Sequence, residues 1–191
     1  MIIQLVDLNS DMVDAWTDEF DRCDDVVIYH DDCFNIKTDC IVSPANSFGF
    51  MGGGLDGVIT RRLGIDVQTN VQNHIKNSLI GELLVGQAIL VETNNTKIPY
   101  CISAPTMRIS MNVEDTPNVY LASKAIFAIL IENIDKIDSV TISGLGTGVG
   151  GFAPETCAKQ MKMAYDEVWL GNKSYPKSLN EAISNHIKII K

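Results

Sequence analysis

The stretch Asp39–Gly64, DCIVSPANSFGFMGGGLDGVITRRLG, decides how the rest of the chain is read. Its apolar start, Cys40–Val42, has strand character. That run gives way to Asn46 and then to three consecutive glycines, Gly52, Gly53 and Gly54. Asp56 follows, at the start of a segment with helical character. A glycine run loses much conformational entropy on folding, so it marks backbone at positive φ or a close approach to a ligand. A glycine loop feeding a helix N-terminus presents free N–H groups to an anion, most often a phosphate. Asn46 and Asp56, on the two sides of the loop, add hydroxyl recognition and an acid/base group. Together these are the needs of a sugar-phosphate site.

Outward from this stretch, short apolar runs alternate with longer amphipathic ones. Strands are expected at Ile2–Leu8, Val26–Tyr29, Cys40–Ser43, Gln87–Glu92, Tyr100–Ala104 and Ser139–Ser143, rich in Ile and Val and bounded by Asp, Asn, Gly or Pro. Helices fit Asp11–Phe20, Asp56–Leu63, Ile65–Leu79, Asn118–Ile134, Pro154–Trp169 and Lys177–Ile189. Several central strands lack clean alternation, as expected when helices cover both faces of a sheet. The fold class is therefore α/β, a three-layer α/β/α sandwich. No internal repeat, linker or low-complexity tract divides the 191 residues, so one domain is expected. Met107–Pro117 reads as a loop.

Composition excludes several functions. No apolar run reaches the roughly 18–20 residues of a membrane span, and the N-terminus lacks the marks of a secretory signal, so a cytoplasmic location and no membrane partner are expected. The five cysteines form no CxxC pair and read as reduced thiols; neither a disulfide framework nor a bound metal is expected. Of the formal charge of −9, all is carried by residues 1–40, with eleven acids against Arg22 and Lys37. An acidic chain without a basic stripe argues against direct nucleic-acid binding. The acidic cluster itself reads as a solvated face. An anionic ligand must then be held by backbone amides and helix dipoles.

A second glycine loop, GLGTGVGGFAP at Gly144–Pro154, follows the strand near Ser139–Ser143 and precedes the Pro154 helix. Ligands of open α/β sheets lie at the carboxyl ends of the strands, so the two loops can converge on one ligand such as a diphosphate. The formal GxGxxG within it, Gly146–Gly151, is no dinucleotide fingerprint. It lies in the last part of the chain, and Asp166 and Glu167 fall inside a helix instead of at a strand end. Neither loop ends in Gly-Lys-Ser/Thr, which excludes a Walker A site.

These two motifs, in this order, resemble the macro domain family. DCIVSPAN followed by GGGLDGVI resembles the family's Asp-Ala-Ile-Val-Asn-Ala-Ala-Asn, glycine run and Val-Asp-Gly-Ala-Ile, and GTGVGGF resembles its Ser-Thr-Gly-Ile-aromatic-Gly segment. The resemblance spans nearly the whole chain and implies a mixed central sheet. It implies binding of ADP-ribose or a related NAD-derived metabolite, with hydrolysis of an ADP-ribosyl bond in a protein or of ADP-ribose-1″-phosphate. A reader or sequestering module without catalysis is the alternative. The implied partner is ADP-ribose or an ADP-ribosylated substrate, and no cofactor is implied.

Carried over, Asp32 with Cys33 takes the adenine end, although Asp32 also fits a turn residue. Ala45 and Asn46 take the distal ribose, although an Asn in a loop often caps backbone. Asp56 takes the water-orienting role beside Asn46, and as a first-turn acid it also suits the helix dipole. Gly53, Gly54, Leu55, Asp56 and Gly57 face Thr147, Gly148, Val149, Gly150 and Gly151 across the diphosphate. Three departures matter. Gly150 stands where the family often has an aromatic that lies along the ribose. Ser43-Pro44 replaces Asn-Ala. Phe152 either substitutes for the missing aromatic or is a core residue.

Overall fold

The computed structural model describes residues 1–191. Six strands, β1 (Ile2–Asp7), β2 (Val26–His30), β3 (Cys40–Ser43), β4 (Ile89–Glu92), β5 (Tyr100–Ser103) and β6 (Ser139–Ile142), form one sheet in the order β2-β1-β6-β3-β5-β4. Only β4 runs antiparallel, against β5; the other pairings are parallel. The sheet is therefore mixed, and five carboxyl-terminal strand ends share one edge.

Alternation along the strands sorts side chains to two cores. Ile3, Leu5, Cys40, Val42, Ile102, Val140 and Ile142 join a cluster of 28 buried residues beneath α1 (Ser10–Phe20), α4 (Asn118–Glu132) and α5 (Pro154–Ala164). Val6, Ile41, Cys101, Ile89 and Val91 join a cluster of 13 on the opposite face, beneath α2 (Gly54–Leu63) and α3 (Asp66–Asn77). Three layers follow directly. β3 is buried at all four positions, as a strand covered on both faces must be. No helix is long and apolar enough to cross a membrane.

The element boundaries depart from expectation where local hydrogen bonding intervenes. α2 starts at Gly54, two residues before Asp56, so Gly54, Leu55 and Asp56 form its first turn. α3 stops short because Ser78 turns its N–H and hydroxyl back onto the Ile75 carbonyl. After Ala164 the expected single helix becomes one π-helical turn, Tyr165–Trp169. The widened turn lets the Tyr165 hydroxyl and the Trp169 indole both donate to the Asp25 carboxylate at the start of β2. The last helix, α6 (Leu179–Ile190), begins after Ser178, whose hydroxyl accepts from the Glu181 N–H.

Candidate functional site

A cleft of about 500 Å3 opens over the carboxyl ends of the strands. Strand order lays it out. Asp31, Asp32 and Cys33 follow β2 at one end, Asp7 ends β1 with Leu8 after it, and Ser143, Gly144 and Gly146–Gly150 follow β6. Pro44–Asn46, Phe50 and Gly53–Asp56 follow β3, and Thr106 and Met107 follow β5 at the far end. Four inter-strand spacings of about 4.8 Å make this row roughly 19 Å long. That length suits a dinucleotide-sized ligand lying across the strand ends.

Every charged side chain lining the cleft is acidic: Asp7, Asp31, Asp32 and Asp56. The N–H groups compensate. Gly53, Gly54, Leu55 and Asp56 give their N–H to no other group of the protein, as the first turn of a helix requires. Thr147, Gly148, Val149 and Gly150 likewise have no protein acceptor for theirs. Two runs of free donors thus flank one cleft.

Asp56 is 7% exposed and accepts a 2.6 Å hydrogen bond from the Ser43 hydroxyl. Burial raises its carboxyl to about 6, and the Ser43 hydrogen bond opposes that rise. The serine that replaces the family asparagine therefore holds this acid from behind. Thr60 braces the same loop by donating to the carbonyls of Met51 and Asp56, each at 2.7 Å.

Asn46 lines the cleft, yet its amide organises its own loop. Nδ2 donates to the Phe50 carbonyl at 2.7 Å, and Oδ1 accepts from the N–H groups of Phe48 and Phe50. At the other end, Asp32 accepts from the Phe34 N–H at 2.9 Å and pairs with Arg62 at 3.6 Å. Arg62, largely exposed on α2, reaches the β2–β3 loop through this pair. The Cys33 thiol is pushed up to about 12, first by burial and then by Asp32. It stays protonated at neutral pH.

The structure brings most of the expected residues to the cleft: Asp32, Cys33, Ala45, Asn46, Gly53, Gly54, Leu55, Asp56, Thr147, Gly148, Val149 and Gly150 line it. Gly57, Gly151 and Phe152 do not line it, and of the two places open to Phe152 the structure gives the core. Gly57 sits in the second turn of α2, its N–H bonded to the Gly53 carbonyl. Gly151 donates to the Gly148 carbonyl and is backed by Asn112. Phe152 is a core residue packed behind Gly146.

Asp7 and Phe50 are lining residues that sequence reasoning passed over. Asp7 ends β1, and its carboxylate accepts from the N–H groups of Asn9 and Gly144, so it clips the second loop to the sheet. Its position at a strand's carboxyl end was the available signal. No three His, Cys, Asp or Glu side chains come together as a metal site.

Comparison with known proteins agrees with this fold. The family model described as Macro domain matches residues 42–161. An uncharacterised protein of Aquifex aeolicus is 31% identical over 159 residues, covering 83% of this chain and 88% of its own length. A macro domain-containing protein of Listeria monocytogenes is 28% identical over 82% of this chain and 86% of its own. Among solved structures, the macrodomain of Mycobacterium tuberculosis DarG superposes with a TM-score of 0.58 at 22% identity, covering 72% of this chain and 87% of that one. A variant Oceanobacillus iheyensis macrodomain solved with ADPR gives 0.57 at 20% identity, covering 68% and 69%. The chain belongs to the macro domain family.

Proposed function

We propose that this macro domain binds ADP-ribose or a related NAD-derived metabolite between its two glycine loops and hydrolyses an ADP-ribosyl bond there. One observation carries the reading: two runs of unpartnered N–H groups face a cleft whose charged side chains are all acidic. A diphosphate held here meets amides and a helix N-terminus instead of lysines. Asp32, at the β2 end, offers carboxylate oxygens to an adenine amino group. Asn46, at the β3 end, lies where the distal ribose ends. The family's solved members with ADPR or ADP-ribose, from Oceanobacillus iheyensis and Trypanosoma brucei, support the choice of ligand.

In the hydrolytic step, Asp56 and a ligand phosphate orient a water molecule toward the anomeric carbon. The water oxygen bonds to that carbon and its proton passes to Asp56. The bond to the leaving group breaks with its electron pair, and the leaving group takes up a proton from solvent. A carboxyl that titrates near 6 is ionised at pH 7 yet basic enough to accept this proton.

Asp56→Ala is expected to lower turnover about 10²–10⁴-fold while ADP-ribose affinity, measured by calorimetry, is retained. Turnover that survives the substitution contradicts the mechanism, and no binding by the parent chain contradicts the whole reading. The non-catalytic reader is favoured by one observation: the Asn46 amide is already engaged in its own loop. Binding without turnover at high protein concentration selects it.

A further inference from the structure

We infer that the β3–β5 end of the cleft takes an aromatic ring carried on the anomeric carbon of the distal ribose. The preferred ligands are then ADP-ribosyl compounds bearing a planar heterocycle at that carbon. This inference rests on the ADP-ribose reading and narrows it to a substrate class.

Two independent features of the cleft point this way. The first is an excluded side chain. A Cβ at Gly150 would fall 2.4 Å from the Gly146 carbonyl oxygen, so with this backbone no side chain fits at 150. The Val113 N–H holds the Gly150 carbonyl at 2.8 Å and fixes that backbone from outside. The second is apolar area facing water. Phe50 is 65% exposed and Val149 is 67% exposed, and both line the cleft, one from each glycine loop. Pro44 and the buried Met107 also line it. An exposed Phe in a cleft gains by covering its face with another ring.

Phe50 is also held in place. Its carbonyl and N–H both bond the Asn46 amide, so the aromatic and the ribose-reading asparagine form one unit. A ligand whose distal ribose reaches Asn46 and carries a ring at the anomeric carbon brings that ring toward Phe50. ADP-ribose itself carries only a hydroxyl there and leaves the phenyl face uncovered.

The test is a calorimetric comparison of ADP, ADP-ribose, NAD+ and NADH, with the parent chain and Phe50→Ala. NAD+ and NADH both carry a ring on the distal ribose and differ in its charge, so agreement between them reports on the ring. The expectation is that both bind about tenfold tighter than ADP-ribose and that Phe50→Ala removes the preference. If ADP-ribose binds as tightly as or more tightly than both, the inference fails and the ADP-ribose reading stands. If none of the four binds, both fail.

Discussion

A Cβ added at Gly52 or Gly53 meets nothing within 4 Å, whereas one added at the glycines of the second loop other than Gly148 collides with the protein itself. At Gly144 it falls 2.9 Å from the Met12 sulfur, at Gly146 3.0 Å from the Phe152 ring, and at Gly151 2.6 Å from the Asn112 amide. At Gly150 it falls 2.4 Å from a backbone carbonyl. The two loops look alike in sequence, yet their glycines answer to different constraints. Those of the second loop, Gly148 excepted, are required by packing. Gly52 and Gly53 satisfy no packing demand of the chain, and their empty space lies beside N–H groups that no protein atom uses. A glycine that the fold does not need, next to donors that the fold does not satisfy, is a sign of a ligand.

The sharpest break of this comparison is Gly150→Ala. The new methyl must push the Gly146 carbonyl aside, at an expected cost of about 3 kcal/mol, read as a lower denaturation midpoint. Unchanged stability would mean that the second loop is as free as the first.

Asp56 gives the next largest effect. Burial holds its carboxyl at about 6 in the folded chain, above the ordinary 3.8. The folded state therefore binds this proton more tightly than the unfolded state. The contribution is most favourable below about pH 4 and is lost as pH rises through about 6, so ionised Asp56 costs about 2–3 kcal/mol at pH 7. Asp56→Asn should raise stability by about 2 kcal/mol at pH 7 and change it little below pH 4. Equal pH dependence of stability in the two chains would show that Asp56 is not the buried group described.

The smallest effect on the fold belongs to Gly53→Ala. Gly53 has φ −135° and ψ 169°, an extended backbone that alanine adopts freely. Loss of an N-cap glycine and reduced unfolded-state entropy offset each other to within about 1 kcal/mol. ADP-ribose affinity should nevertheless fall about tenfold, because the methyl occupies the approach to the amides. A variant that loses stability and keeps affinity would reverse the roles of the two loops.

Local pattern exposed most of this architecture. β3 and its glycine loop are readable because an apolar run, three glycines and an acid lie in sequence. The edges that went unread depend on contacts distant in the chain. Nothing local in Pro154–Trp169 announces that Asp25, some 140 residues earlier, draws Tyr165 and Trp169 into a π-helical turn. The site divides in the same way. Asp32, Asn46 and Asp56 stand in recognisable motifs. Phe152, beside such a motif, was turned into the core by the tight turn at Gly146, where φ is +70°. Asp7 carries no motif, and only the convergence of strand ends brings it to the cleft; Phe50 lies within the Asn46–Gly53 stretch, whose pattern does not tell which of its side chains face the cleft.

If the proposed function holds, backbone amides of both loops bind one diphosphate. Amide chemical-shift mapping of the 15N-labelled chain with ADP-ribose tests it most directly. Saturable shifts are expected at Gly53–Asp56 and at Thr147–Gly150, moving together along one binding curve. Shifts confined to one loop, shifts elsewhere on the surface, or none at all would contradict it.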